Sequence, residues 1–268
     1  MRFAFHKMHG LGNDFVVIDA RSAPVVIDAG VARGICDRRQ GIGCDQLILI
    51  EAADGADAAM RIWNPDGSEA GACGNASRCV AMLLGDGAAI DTPGGRITAR
   101  VAGDLIEIDM GLPRFHWEAV PLAYPLDTLD VPVGWGDLGH GTALSVGNPH
   151  IVFFVAEDAE VDLATLGPLI EHDALFPERI NVGVARVTGS SAIRLDVWER
   201  GAGLTRACGT GACAAAVAAV RRRLVNGPVT VTLPGGDLEI DWTPGTSIRM
   251  RGPATHVFTG EADLGAFA

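Results

Sequence analysis

The stretch EAGACGNASRCVAML (69–83) returns in altered form as LTRACGTGACAAAVA (204–218). Both run Cys-Gly, then small residues, then an apolar helix-like segment, and Cys73 and Cys208 stand 135 residues apart. The same offset carries Trp63 onto Trp198, Gly12-Asn13 onto Gly147-Asn148, and Gln46 onto Asn181. Further on the offset becomes 141, laying TPGGRITA (92–99) over LPGGDLEI (233–240) and IEIDMGLP (106–113) over SIRMRGPA (247–254). Chance recurrence of Gly-rich turns would not keep polar positions in order, so the chain is read as a duplicated unit. Each copy, roughly 115–130 residues, has the length of a domain. The boundaries expected are 1–116 and 117–253, with the joint in the Pro-containing stretch RFHWEAVPLAYP (114–125). The tail 254–268 has no counterpart in the first copy and is expected to return to it as an added strand.

Segments such as FAFHKMHG, DFVVIDA, QLILIEA and LIEIDMG read as strands bounded by Gly, Asp and Asn. VARGICDRR, SRCVAMLLG, LATLGPLIEH and AAAVAAVRRRL read as helices, and the two PGG triplets as turns. Strands outnumber helices in both halves, which gives an α+β class with two related domains.

Composition narrows the function classes. A net charge of −12 argues against nucleic acid or an anionic membrane as a partner. The N-terminal MRFAFHKMHG lacks the apolar segment of an export signal, and no apolar run reaches the 18 or so residues of a span. A cytoplasmic protein with reduced thiols is therefore expected. Cys73-x5-Cys79 and Cys208-x4-Cys213 lack the close pairing of zinc ligands, so no metal is expected. Lys7 is the only lysine, and a pyridoxal-phosphate Schiff base would have to form there, in a strand-like segment. No cofactor is expected.

Each half thus sets one Cys, followed by Gly, at the start of a helix. Helix-start N–H groups and the helix dipole favour a thiolate and lower a thiol pKa from about 8.5 towards neutrality. They also bind carboxylates, and Gly74 and Gly209 let the anion approach the backbone closely. If the halves face each other across a cleft, a small carboxylate lies between two thiols. That suits inversion of a stereocentre without a cofactor, in which one base removes the proton and an acid on the other face returns it. Stabilising the carbanion falls to preorganised N–H donors. Cys36, Cys44, Cys79 and Cys213 lie in apolar or helical contexts and read as core residues.

HKMHGLGNDFVVID, NPDGSEAGACGNASRC, GNPH, ERINVG, WERGAG and ACGTGACAAA closely resemble the motifs of diaminopimelate epimerases, nearly end to end and in order. The resemblance implies two pseudo-symmetric domains, each a mixed β-sheet or barrel around a central helix. It implies cofactor-independent interconversion of LL- and meso-2,6-diaminopimelate for lysine and peptidoglycan synthesis, and often a homodimer. Cys73 and Cys208 would be the acid/base pair, Cys208 taking the proton from the LL isomer and Cys73 returning it. The reacting carboxylate would sit on the backbone around Gly74-Asn75 and Gly209-Thr210. Asn64, Asn181 and Arg200 would hold the distal amino-acid end, Arg200 through its planar fork. Asn13, Gln46 and Asn148 would complete the substrate shell, with His150 and Glu199 influencing the thiols.

Recurrence at one offset supports these roles: Asn13 with Asn148, Gln46 with Asn181, Asn64 with Glu199. His150 has only Phe15 as its counterpart. Where the first half has Asn64-Pro65, the second has Glu199-Arg200, a charged pair that can tell the two ends of a long substrate apart. The chain departs from the family pattern at Ala76 and Ser77, at Leu204 where Glu is usual, and at Cys44 where Phe is common. These departures bear on substrate affinity rather than reaction type. Two other readings remain: a proline- or hydroxyproline-type racemase, which would have no use for Glu199 and Arg200, and a thiol redox or carboxylate-binding protein without catalysis.

Overall fold

The computed structural model describes residues 1–71 and 73–267. In chain order the elements are β1 (Arg2–Gly10), β2 (Asn13–Asp19), α1 (Ala29–Cys36), β3 (Gln46–Glu51), β4 (Ala58–Trp63), α2 (Gly74–Leu84), β5 (Ala89–Thr92), β6 (Gly95–Ala102) and β7 (Leu105–Asp109). After a short 3-10 turn at Trp117–Ala119 come β8 (Val131–Trp135), β9 (Leu138–Ser145), β10 (Pro149–Val155), α3 (Leu163–Glu171), β11 (Asn181–Gly189), β12 (Ala192–Glu199) and β13 (Gly203–Thr205). Then follow α4 (Gly209–Arg221), β14 (Val229–Leu233), β15 (Gly236–Asp241), β16 (Arg249–Pro253) and β17 (Thr255–Asp263). Two compact units emerge: residues 1–108 with 252–268, and residues 109–251. The segment 109–116 belongs to the second unit, where Arg114 and Ser145 form an antiparallel bridge.

The first unit is one mixed sheet in the order β17-β1-β2-β3-β4-β5-β6-β7, parallel only at β2–β3 and β4–β5. The second runs β8-β9-β10-β11-β12-β14-β15-β16, parallel only at β10–β11 and β12–β14, with β13 added beside β12. Sequence and pairing agree in register: Phe15 pairs with Gln46 as His150 pairs with Asn181, and Leu47 with Trp63 as Val182 with Trp198. The last strand corrects the alignment by one residue. Ala99 pairs with Ile108, whereas its counterpart Ile240 pairs with Met250, so Ile106 and Ile108 match Ile248 and Met250. The loop before β16 absorbs the extra residue; without that shift, alternation would turn the apolar side chains outward.

Both sheets are covered on both faces, which is why their inner strands are apolar throughout. Leu47, Ile48, Leu49 and Ile50 of β3 are all buried. Leu47 and Leu49 pack in one core with Val31, Ala32 and Ile35 of α1, and the alternation of a strand sends Ile48 and Ile50 to the other face. There α2 packs on β1, β2 and β6. In the second unit Leu163 and Ile170 of α3 cover Val182 and Val184 of β11. The opposite face holds α4, packed against β9 to β12, β14 and β15. Strands surround α4 so closely that Gly209 to Ala219 are all buried, and a run mostly of Ala and Gly leaves room for them.

Helix ends sort by position. The outer helices α1 and α3 are capped by Asp28 and Asp162, common N-cap residues. The inner helices α2 and α4 are capped by Cys73 and Cys208, whose sulfurs accept from the third N–H. Helix α1 stops at Cys36, short of the VARGICDRR expectation, because the Asp37 carboxylate folds back onto the N–H groups of Arg39 and Gln40 at 2.7 Å. Cys36, Cys44, Cys79 and Cys213 are buried in the core.

Candidate active site

Topology collects the polar residues at one end of each unit. A parallel pair sets two strand starts side by side, and the antiparallel strand that follows ends beside them. In the first unit Asn13 opens β2, Gln46 opens β3, and Asn64 follows β4. In the second Asn148 precedes β10, Asn181 opens β11, and Glu199 closes β12. The turns that deliver Asn13 and Asn148 pass through Gly12 (φ 84°) and Gly147 (φ 98°), left-handed positions suited to glycine.

In the first unit the Cys73 Sγ accepts the Ala76 N–H at 3.5 Å and lies 4.0 Å from Asn13 Oδ1. The same oxygen accepts from Asn75 Nδ2 at 3.1 Å, and Asn13 Nδ2 donates to Asp45 at 3.1 Å. Asp45 in turn meets Arg38, which also holds Asp14 beside Lys7. Lys7 and Arg38 hold the Asp14 carboxyl down at about 2, against the burial that would raise it. Gln46 Nε2 donates to Asn64 Oδ1 at 2.9 Å, and Asn64 Nδ2 donates to Ser68 at 3.2 Å. The structure therefore joins Asn13, Cys73 and Asn75 in one group and Gln46 with Asn64 in another. The first N–H groups of α2, including those of Gly74 and Asn75, have no acceptor within the helix by its geometry.

In the second unit the Cys208 Sγ accepts the Gly211 N–H at 3.3 Å and lies 3.5 Å from Thr210 Oγ1. Asn148 Nδ2 donates to Thr210 Oγ1 at 3.3 Å, and His150 Nε2 lies 2.9 Å from Asn148 Oδ1, which makes Nε2 the donor. Burial, and after it the charge of Arg200, push the fully buried His150 imidazole down to about 3. It is a neutral hydrogen-bonding group that positions Asn148. Asn181 uses both ends of its amide, donating to Pro149 O at 2.7 Å and accepting the Arg200 backbone N–H at 2.9 Å. The guanidinium of Arg200 reaches Glu178 O at 3.0 Å, and Thr205 Oγ1 donates to Glu199 at 2.6 Å. Gly209 and Thr210, the first residues of α4, are buried.

The expectation of a depressed thiol pKa does not hold for Cys208. Burial, then the nearby Glu199 carboxylate, push that thiol well up, outweighing its hydrogen bonds with Thr210 and Gly211. Helix-start N–H groups favour a thiolate only where water or counter-charge offsets desolvation, and Cys208 is 3% exposed. Cys208 therefore holds its proton in this state, with Glu199 within hydrogen-bonding reach to exchange it. Sequence reasoning also passed over Arg78 and Asp45. Arg78 is fully buried in α2 beside Asn75, and Asp45 orients Asn13. The signal for Arg78 was a lone charge inside the small-residue run ASRCVA.

Comparison with known proteins decides what these elements belong to. The model of the family described as diaminopimelate epimerase matches residues 5–116 and 142–257. The chain belongs to the diaminopimelate epimerase family. A diaminopimelate epimerase of Rhizorhabdus wittichii is 60% identical over 268 residues, covering 100% of this chain and 98% of the relative. One from Sphingopyxis alaskensis is 59% identical, covering 98% of each. A solved structure of a probable proline racemase from Agrobacterium radiobacter shares the fold, with a TM-score of 0.70 at 17% identity over 98% of this chain and 93% of the other. Membership of the diaminopimelate epimerase family makes the chain an isomerase, in a two-domain fold dominated by mixed sheet. No helix among the described residues is long and apolar enough to cross a membrane.

Proposed function

We propose that the chain interconverts LL- and meso-2,6-diaminopimelate in lysine and peptidoglycan precursor synthesis, by a two-thiol mechanism in the cytoplasm and without a cofactor. The observation that carries this reading is the matched pair of N-cap thiols, Cys73 and Cys208, each in the same position of a repeated topology. Cys208 removes the Cα proton of the LL isomer and Cys73 returns one to the opposite face; the roles exchange for the meso isomer. Because Cys208 rests protonated, its work as base requires transfer of that proton to Glu199, whereas its work as acid requires none. The negative charge developing at the carbanion falls to helix-start N–H groups at Gly74-Asn75 and Gly209-Thr210. Asn64, Asn181, Glu199 and Arg200 take the distal ammonium and carboxylate, with Asn13, Gln46 and Asn148 around the rest. Lys7, the only lysine, is tied to Asp14 and to the Gly43 carbonyl. The two units act as the two domains of the enzyme, and a homodimer of them is the assembly proposed.

The test is NMR in D2O under reducing conditions, without pyridoxal phosphate, following loss of the Cα proton signal from LL-diaminopimelate and, separately, from L-proline. Exchange and meso product from diaminopimelate alone, lost in both Cys73→Ala and Cys208→Ala, is the expected result. Exchange with proline only would overturn the substrate, and exchange with neither would overturn catalysis.

A further inference from the structure

Cys36 and Cys44 stand where the chain leaves α1 and turns towards β3, and the main chain brings them together. The Ile42 and Gly43 N–H groups both reach Ile35 O, at 3.1 and 3.0 Å, and the Cys44 N–H donates to Cys36 O at 3.2 Å. Gly41 and Gly43 allow so close a return. A Cβ at Gly41 would stand 2.0 Å from Gly34 O, and Gly43 takes a left-handed φ of 80°. The two thiols then meet, the Cys44 Sγ donating to the Cys36 Sγ at 3.5 Å. A disulfide needs Cα atoms about 4.4–6.8 Å apart and Cβ vectors that converge. A direct backbone hydrogen bond supplies the approach, and sulfur-to-sulfur contact supplies the aim.

The other copy of the duplicated unit puts a different link at the same place. At the common offset of 135, Cys36 falls on Glu171 and Cys44 on Arg179. Glu171 ends α3, and Arg179 lies 3.9 Å from its carboxylate. Each unit thus joins the end of its outer helix to the segment entering the next strand, the second by an ion pair and the first by two thiols. An ion pair has one covalent state, whereas a thiol pair has two, separated by two electrons and two protons. The segment between the thiols carries Arg38, which pairs with Asp14 and Asp45.

The two sulfurs also differ in how they hold their protons. The hydrogen bond from Cys44 pulls the Cys36 thiol below its ordinary value although burial opposes it; the same bond, and then burial, push Cys44 well up. Cys36 is therefore the nucleophile and Cys44 the proton donor. Both are buried, yet residues 37–40, which follow Cys36 directly, are all exposed, so a small oxidant has only one loop to pass.

We propose that Cys36 and Cys44 are a dithiol–disulfide site, which hydrogen peroxide converts into a covalent tie between α1 and the segment entering β3, independently of Cys73 and Cys208. The Cys36 thiolate attacks one peroxide oxygen and the O–O bond breaks, leaving a sulfenic acid on Cys36 and a hydroxide that takes up a proton to become water. The Cys44 sulfur then displaces the sulfenic hydroxyl, which departs with the Cys44 proton as a second water, and the S–S bond forms. One peroxide is reduced to two waters as two thiols are oxidised to one disulfide, and a dithiol reductant reverses the step by exchange.

The experiment treats the intact, folded chain with hydrogen peroxide in small molar excess, removes the oxidant with catalase, and unfolds the protein directly into excess N-ethylmaleimide. Arg38 and Arg39 lie between the two cysteines, so trypsin parts them and an unreduced digest shows the disulfide as a linked peptide pair in mass spectrometry. The expected result is that pair, lighter by two hydrogens than the separate peptides, with loss of maleimide from both residues and its return after dithiothreitol. Cys79, whose thiol burial pushes up to about 12, should stay labelled and reports that the core remained closed. The same link should form in the double variant Cys73→Ser, Cys208→Ser, and its absence there overturns the independence of the site. Full labelling of Cys36 and Cys44, or Cys36 carried on to sulfinic acid with no link, overturns the proposal in the unmutated protein. Because no turnover is measured, failure here is distinct from failure of the epimerase reading.

Discussion

His150 offers a perturbation whose size follows from its surroundings. Its imidazole is 1% exposed and titrates near 3 in the folded chain, against 6.5 when exposed. Between those values the unfolded chain binds a proton that the folded chain does not, so stability must fall as pH falls through 6.5 and keep falling towards 3. Integrating from pH 7 to pH 5 gives a loss of about 2 kcal/mol from this one group. In His150→Gln the amide still donates to Asn148 Oδ1 but does not titrate, so this part of the loss should vanish. Urea unfolding followed by tryptophan fluorescence suits the measurement, because Trp117, Trp135, Trp198 and Trp242 all lie in the second unit. The difference in unfolding free energy between pH 7 and 5 should be smaller in His150→Gln by about 2 kcal/mol. Parallel curves for the two proteins would refute the reasoning and mean that the buried imidazole gains a proton without unfolding.

Gly167→Ala would put a Cβ 2.4 Å from the Trp198 ring, which is pinned by its 2.7 Å hydrogen bond to Glu171. Such overpacking costs about 1–3 kcal/mol, and thermal unfolding should show it as a fall of several degrees. Glu199→Gln removes the second cause of the raised Cys208 thiol, so the alkylation midpoint of Cys208 should fall while staying above the ordinary thiol value, burial being the first cause. Asn181→Ala frees Pro149 O and the Arg200 N–H together, so steady-state kinetics should show KM for diaminopimelate rising about tenfold with a smaller change in kcat.

The duplication was legible because burial on both sheet faces keeps Trp63 with Trp198 and Gln46 with Asn181 at one offset. The slip at Ile248 and Met250 was not, since Gly-rich ends match equally well one residue either way and only strand pairing fixes the register. Candidate residues at strand ends could be named because polar groups recurring in order have no packing reason to do so. The ionisation of Cys208 could not be read the same way. Cys-Gly at a helix start signals N–H donors, but desolvation and the approach of Glu199 arise only when distant segments close around the sulfur. The tail was expected to add a strand to the first unit, but nothing in the sequence showed that β17 fills beside β1 the place that β8 fills beside β9.

That last exchange has a consequence for how the chain is made. The second unit is one unbroken segment, 109–251, whereas the first is assembled from residues 1–108 and 252–268. On a ribosome β1 emerges before the second unit, yet its antiparallel partner β17 emerges after it. The unit begun first is therefore completed last, with one flank of β1 exposed while the whole of the second unit is synthesised. Nascent chains stalled after residue 251 should hold a folded second unit beside a first unit that still binds chaperones, and release of the final strand should end that binding.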